Sequence, residues 1–122
     1  MTDTTFTFEG QEIRVLDGPY LSDGEISSEG KEFTSKLIST FEEMRVFAAK
    51  QYLAIYNESW REEGSPIINE QEFCSLLKNP SLVLYDEIGA AVIYFEDSNM
   101  FAGHSIEVSV DNHKIDYASI VG

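Results

Sequence analysis

The hydrophobic period changes twice along the chain, and few folds accommodate that. Phe33, Leu37, Phe41, Met44, Ala48, Tyr52, Ile55 and Trp60 recur at steps of three to five residues, which keeps them near one stripe of a helix. On either side the period falls to two. Residues 5–8, Thr-Phe-Thr-Phe, and 12–16, Glu-Ile-Arg-Val-Leu, alternate about Gly10 and predict an amino-terminal hairpin. Ser105, Glu107 and Ser109 alternate with Ile106, Val108 and Val110, so that strand has one wet face and one buried face. The turn Asp111-Asn112-His113 leads into a final strand over 114–121.

Local signals set the boundaries. Asp17-Gly18-Pro19 and Ser22-Asp23-Gly24 mark a loop, because glycine permits positive φ and proline removes a ladder donor. Thr40 and Glu43 have capping-box spacing and place a break near Ser39-Thr40, although the apolar phase runs on through it. Gly64-Ser65-Pro66 stops the helix near Glu63. Asn69 and Glu72 cap a short helix whose inner face is Phe73, Leu76 and Leu77, and Asn79-Pro80 ends it. Residues 82–85 and 90–95 are apolar on both faces, as in strands at the middle of a covered sheet. The expected fold is α+β: an antiparallel sheet of about four to six strands. The amino-terminal hairpin and a carboxy-terminal meander supply it, and one long or two serial helices plus the short helix pack on one face. With 122 residues, 43% of them apolar, and neither repeats nor linkers, residues 1–122 form a single domain with its own core.

Charge narrows the partners. Eight Lys and Arg against 22 Asp and Glu give a formal −14, which disfavours nucleic acid and anionic membranes because both select basic patches. The same field speeds encounter with a cationic partner. The lone Cys74 forms no intramolecular disulfide, no apolar run reaches a membrane span, and the opening Met-Thr-Asp-Thr-Thr lacks a secretory signal, so the expected location is the cytoplasm.

Catalytic and metal chemistry finds little support. Two histidines and one cysteine, without HxxxH, CxxC or HxxE spacing, do not supply the three or four ligands of a zinc site. His104 follows Gly103 at a strand start and reads as a packed histidine, and His113 lies in a polar turn. Cys74 has Glu70 and Glu72 nearby, which raise rather than lower a thiol pKa. There is no GxSxG, GxGxxG or GxxxxGK, and Asp97-Ser98-Asn99 lacks the glycine and closing Glu of a calcium loop. No enzyme activity, catalytic residue, metal or cofactor is therefore expected.

Carboxylates cluster instead, and most fall on helix surfaces or turn tips. An acidic partner-binding surface is expected from Glu42, Glu43, Glu58, Glu62, Glu63, Asp86 and Glu87, with Tyr56 and Trp60 as the aromatic anchors that interfaces favour. The ordinary alternative is a solvated acidic face with Trp60 closing the core.

The segment Asn99-Met-Phe-Ala-Gly-His-Ser-Ile-Glu-Val-Ser-Val-Asp, followed by Lys114-Ile-Asp-Tyr-Ala-Ser-Ile-Val-Gly, resembles the ending of a group of small bacterial domains of unknown function. In that group a Phe-x-Gly-His-x-Ile-x-Val strand and a closing Ile-x-Gly strand follow a helical region. Such domains are similar to immunity proteins of bacterial toxin–immunity systems, including contact-dependent growth inhibition. The resemblance spans residues 82–122 closely and the helical part in outline. It implies a cytosolic protein that binds and blocks a cognate toxin domain, with the Gly-His pair marking a strand entry and no catalytic residue carried over. Many such toxins are nucleases with basic clefts, which an acidic inhibitor complements. The rival expectation is an acidic protein-binding or regulatory module, monomeric or homodimeric through the apolar strand 90–95, with no toxin partner.

Overall fold

The computed structural model describes residues 3–122; Met1 and Thr2, part of the opening read for a secretory signal, lie outside the described residues. Strands β1 (Asp3–Phe8) and β2 (Gln11–Leu16) form the amino-terminal hairpin, turning at Glu9-Gly10 where both residues have positive φ. The expected loop after it contains a two-stranded ribbon, β3 (Leu21–Ser22) and β4 (Glu25–Ile26), folded about Asp23-Gly24. Helices α1 (Ser28–Ser39), α2 (Phe41–Ile55), a π-helical turn (Tyr56–Trp60) and α3 (Glu70–Ser75) follow. Strands β5 (Lys78–Leu84), β6 (Ala91–Glu96), β7 (Ser105–Asp111) and β8 (Lys114–Val121) complete the chain.

The main sheet has six strands in the order β1-β2-β5-β6-β7-β8. All neighbours are antiparallel except β2 and β5, which run parallel in the sheet's interior because the whole helical region is the connection between them. One core row crosses the sheet in register: Ile13, Leu82, Ile93, Val108 and Ala118 are each no more than 2% exposed. The helices cover this face with Phe33, Leu37, Phe41, Met44, Ala48 and Phe73. The opposite face carries Thr5, Arg14, Val83, Val92, Ser109 and Tyr117 in one cross-strand row. Val83 and Val92 are buried without joining the helix-side core, which explains the two-faced apolarity of β5 and β6 although helices cover only one side.

Four boundaries differ from expectation. The break falls at Thr40, but its hydroxyl donates to the Leu37 carbonyl, so the Thr40–Glu43 capping box does not form. The helical stripe leaves the core before its end, since Ile55 and Trp60 are about two-fifths exposed. Asn79-Pro80 does not end α3; it lies in β5, at an irregularity between Lys78 and Ser81 where a missing N–H breaks no ladder bond. Finally, β6 pairs on both sides, with β5 and β7, so it offers no edge through which a second copy could add. The Asn69–Glu72 capping box forms as read: Asn69 Oδ1 accepts from the Glu72 N–H and Glu72 Oε1 from the Asn69 N–H.

Candidate functional site

The expected site residues occupy separate places. Tyr56, Glu58, Trp60, Glu62 and Glu63 lie together at the end of the long helical run. Glu42 pairs loosely with Arg45, 3.7 Å apart, beside α3, while Glu43 faces a different groove under the α1–α2 joint. Asp86 and Glu87 sit exposed in the β5–β6 turn, where Gly18 approaches the Asp86 backbone too closely to carry a side chain. Only the first group combines carboxylates with an exposed aromatic.

That group is built by a change of helical pitch. At Tyr56 the helix widens, closing with the Arg61 N–H on the Tyr56 carbonyl at 2.7 Å, five residues back. Such π-turns are rare and recur at functional sites, because the bulge re-aims side chains that a regular helix would hold in line. Asn57 fastens the returning chain at both ends of its amide: Nδ2 donates to the Ile68 carbonyl at 3.0 Å and Oδ1 accepts from the Ile68 N–H at 3.1 Å. Arg61 is consumed locally, its guanidinium donating to the Asn57 and Ser65 carbonyls. The only cation of the segment is thus committed to backbone oxygens, and Glu58, Glu62 and Glu63 of the same segment are exposed.

The floor beneath is aromatic. Phe101, fully buried, has the rings of Trp60, Tyr56, Tyr52 and Phe73 around it at 5.4, 5.8, 6.1 and 6.3 Å, all edge-on. Phe101 is held there by Asp97, which is buried: Oδ1 accepts from the Asn99 N–H and Oδ2 from the Phe101 N–H, both at 2.9 Å. The Asp97-Ser98-Asn99 run is therefore a self-capping loop between β6 and β7. Trp60 keeps 41% of its surface exposed while one side rests on Phe101, and its ring lies 6.4 Å from that of His104. It closes the core and remains presentable at once.

Cys74 is buried, and desolvation pushes its thiol above the ordinary range, with Glu42 and Glu70 adding to the rise and Arg45 opposing it. Glu42, not Glu72, is the second acidic neighbour, a contact across elements that spacing could not reveal. Among the described residues no group of His, Cys, Asp or Glu is arranged to hold a metal ion, and no helix is long and apolar enough to cross a membrane. The roles of Asp97 and Asn57 were not anticipated. The Asp97 turn was visible, but its direction toward the backbone N–H of Phe101 depends on the loop's four positive-φ residues, Ser98, Asn99, Ala102 and Gly103.

Fold and site together define a small α+β domain with a mixed six-stranded sheet, helices on one face and an acidic aromatic prominence at the helical end. Residues 4–120 match the family described as uncharacterized protein conserved in bacteria (DUF2262), and the chain belongs to that family. Among curated proteins and solved structures alike, no match was found.

Proposed function

We propose that the protein is an immunity protein that neutralises a cationic bacterial toxin domain, a basic nuclease being the best-fitting class, by occluding its active cleft. The observation that carries this reading is the half-exposed Trp60, seated on Phe101 in a segment that also exposes Glu58, Glu62 and Glu63 and whose Arg61 is tied to backbone carbonyls. An indole fixed on one side loses little freedom on binding, which is why such residues dominate interface energies. Carboxylates around it, on a molecule of net charge −14, supply complementarity to a basic cleft and a fast approach. In this reading the protein performs no reaction, needs no cofactor, binds neither nucleic acid nor membrane and works in the cytoplasm beside its target.

The test is to seek a toxin domain encoded beside its gene and to co-express the two; the absence of any such gene also rejects the reading. Cell survival and a stoichiometric complex that weakens with salt support the reading. Death of the cells, or survival without a recoverable complex, rejects it.

A further inference from the structure

We propose that the bare edge of the sheet, strand β1, pairs antiparallel with β1 of a second copy of this chain about a twofold axis through Phe6. The two edges of the sheet differ. β8 is blunted three times over: its pairing with β7 slips at Ser109–Val110, it exposes Lys114 and Asp116, and α2 closes over it. That closure is made at the Ala118 carbonyl, which accepts from Gln51 Nε2 at 3.0 Å and from the Tyr52 hydroxyl at 3.2 Å. β1 has none of these devices. Its register with β2 is unbroken, residues 4–8 carry neither charge nor proline, and among the described residues its main chain bonds to β2 alone. Hydrogen-bonded pairs alternate from Phe8–Gln11, which closes the two-residue turn, so the N–H and C=O of Thr5 and Thr7 point outward.

Charge selects the register. Thr5 lies beside Arg14 and Thr7 beside Glu12, on the sheet face away from the helices. With Thr5 opposite the partner's Thr5, each Arg14 shares a cross-strand row with the partner's Arg14; with Thr7 opposite the partner's Thr7, the two Glu12 carboxylates share one. Thr5 opposite the partner's Thr7 instead puts Glu12 and Arg14 of different copies in one row, twice over, and each threonine pair exchanges two main-chain bonds. The same register sets Phe6 against the partner's Phe6, extending the half-buried layer that Phe6 and Phe8 lay against the core. Glu9, just beyond the strand, is drawn to α1, where the Ser35 hydroxyl donates to its carboxylate. A net charge of −14 opposes the approach of two copies everywhere else, so the dimer tightens as salt screens that repulsion. β1 lies four places from β7 in the sheet, and Trp60 sits at the β7 entry beside His104, so the pairing leaves the Trp60 prominence free and does not rest on the immunity reading.

The experiment is sedimentation equilibrium of the full chain from about 10 µM to 1 mM, at about 0.05 and 0.5 M sodium chloride, with amide exchange at both ends of the range. A monomer–dimer equilibrium is expected, about tenfold stronger at the higher salt. The Thr5 and Thr7 amides should slow in the dimer, while those of Phe6 and Phe8, already bonded to β2, stay as they are. Thr5→Pro deletes an N–H that β2 does not use, and should abolish the dimer while the β2 amides remain protected. At matched salt Glu12→Arg should weaken the dimer about fivefold, and Glu12→Arg/Arg14→Glu should restore it because each row again joins opposite charges. The charge swap decides the case if the proline variant does not fold. A chain that stays monomeric throughout, a dimer that survives Thr5→Pro, slowed amides elsewhere, or no rescue by the swap would overturn the proposal.

Discussion

Single residues fix the close approaches on which this fold depends. Gly89 has φ +80°, and a side chain there would meet the His113 backbone nitrogen at 2.9 Å, so Gly89→Ala should destabilise by about 2 kcal/mol in denaturant titration. Tyr20 reaches the same turn: its buried hydroxyl accepts from the Gly89 N–H at 2.7 Å. Tyr20→Phe leaves that donor unsatisfied and should cost about 1–2 kcal/mol, measured the same way. Both substitutions act on one turn, so their effects should not add. Cys74 supplies a pH-dependent case. Burial raises its thiol above the ordinary 9.0, so the folded state holds the proton more tightly than the unfolded chain. Its contribution to stability is fully present below pH 9 and is lost as pH rises through the native value; Tyr94, raised from 10.0 by desolvation and then by Tyr85 and Glu107, acts in the same direction. Stability should therefore fall on the alkaline side, and native Cys74 should alkylate far more slowly at pH 8 than in denaturant.

At the scale of elements, the legible part of the fold is the part written by local rules. The Asn69–Glu72 box, the β1–β2 hairpin and the two-residue Asn112-His113 turn, both residues at positive φ, follow from side-chain chemistry within a few positions. Asn69→Ala should accordingly cost about 1 kcal/mol in a thermal or denaturant melt. What spacing could not supply was tertiary. The parallel pairing of β2 with β5 is decided by where an excursion of about sixty residues returns, and the stripe reaches Ile55 and Trp60 with both about two-fifths exposed where the helix changes pitch at Tyr56. Thr40 marked the right break for a reason other than the one its spacing suggested, since its hydroxyl turns back to Leu37. The candidate site divides in the same way. Tyr56, Glu58, Trp60, Glu62 and Glu63 are neighbours in sequence and remain so in space, whereas Glu42, Glu43, Asp86 and Glu87 shared only their charge.

Across the whole molecule, the dominant quantity is the net charge of −14 spread over 6992 Å² of surface. Self-repulsion of that size opposes compactness and is screened by salt, so the unfolding midpoint should rise between about 0.05 and 0.5 M sodium chloride. A cationic partner relieves the same repulsion by binding, and salt should weaken that association while it steadies the free protein. The two opposed salt responses separate an interface built on charge from a fold merely burdened by it. The most direct measurement is calorimetric titration of the adjacent-gene toxin domain with the wild-type chain, Trp60→Ala and Glu58→Lys/Glu62→Lys/Glu63→Lys, at low and high salt. The account predicts a loss of at least 2 kcal/mol of binding for Trp60→Ala and a weaker, nearly salt-independent association for the triple reversal. Wild-type affinity and salt dependence in both variants would contradict it.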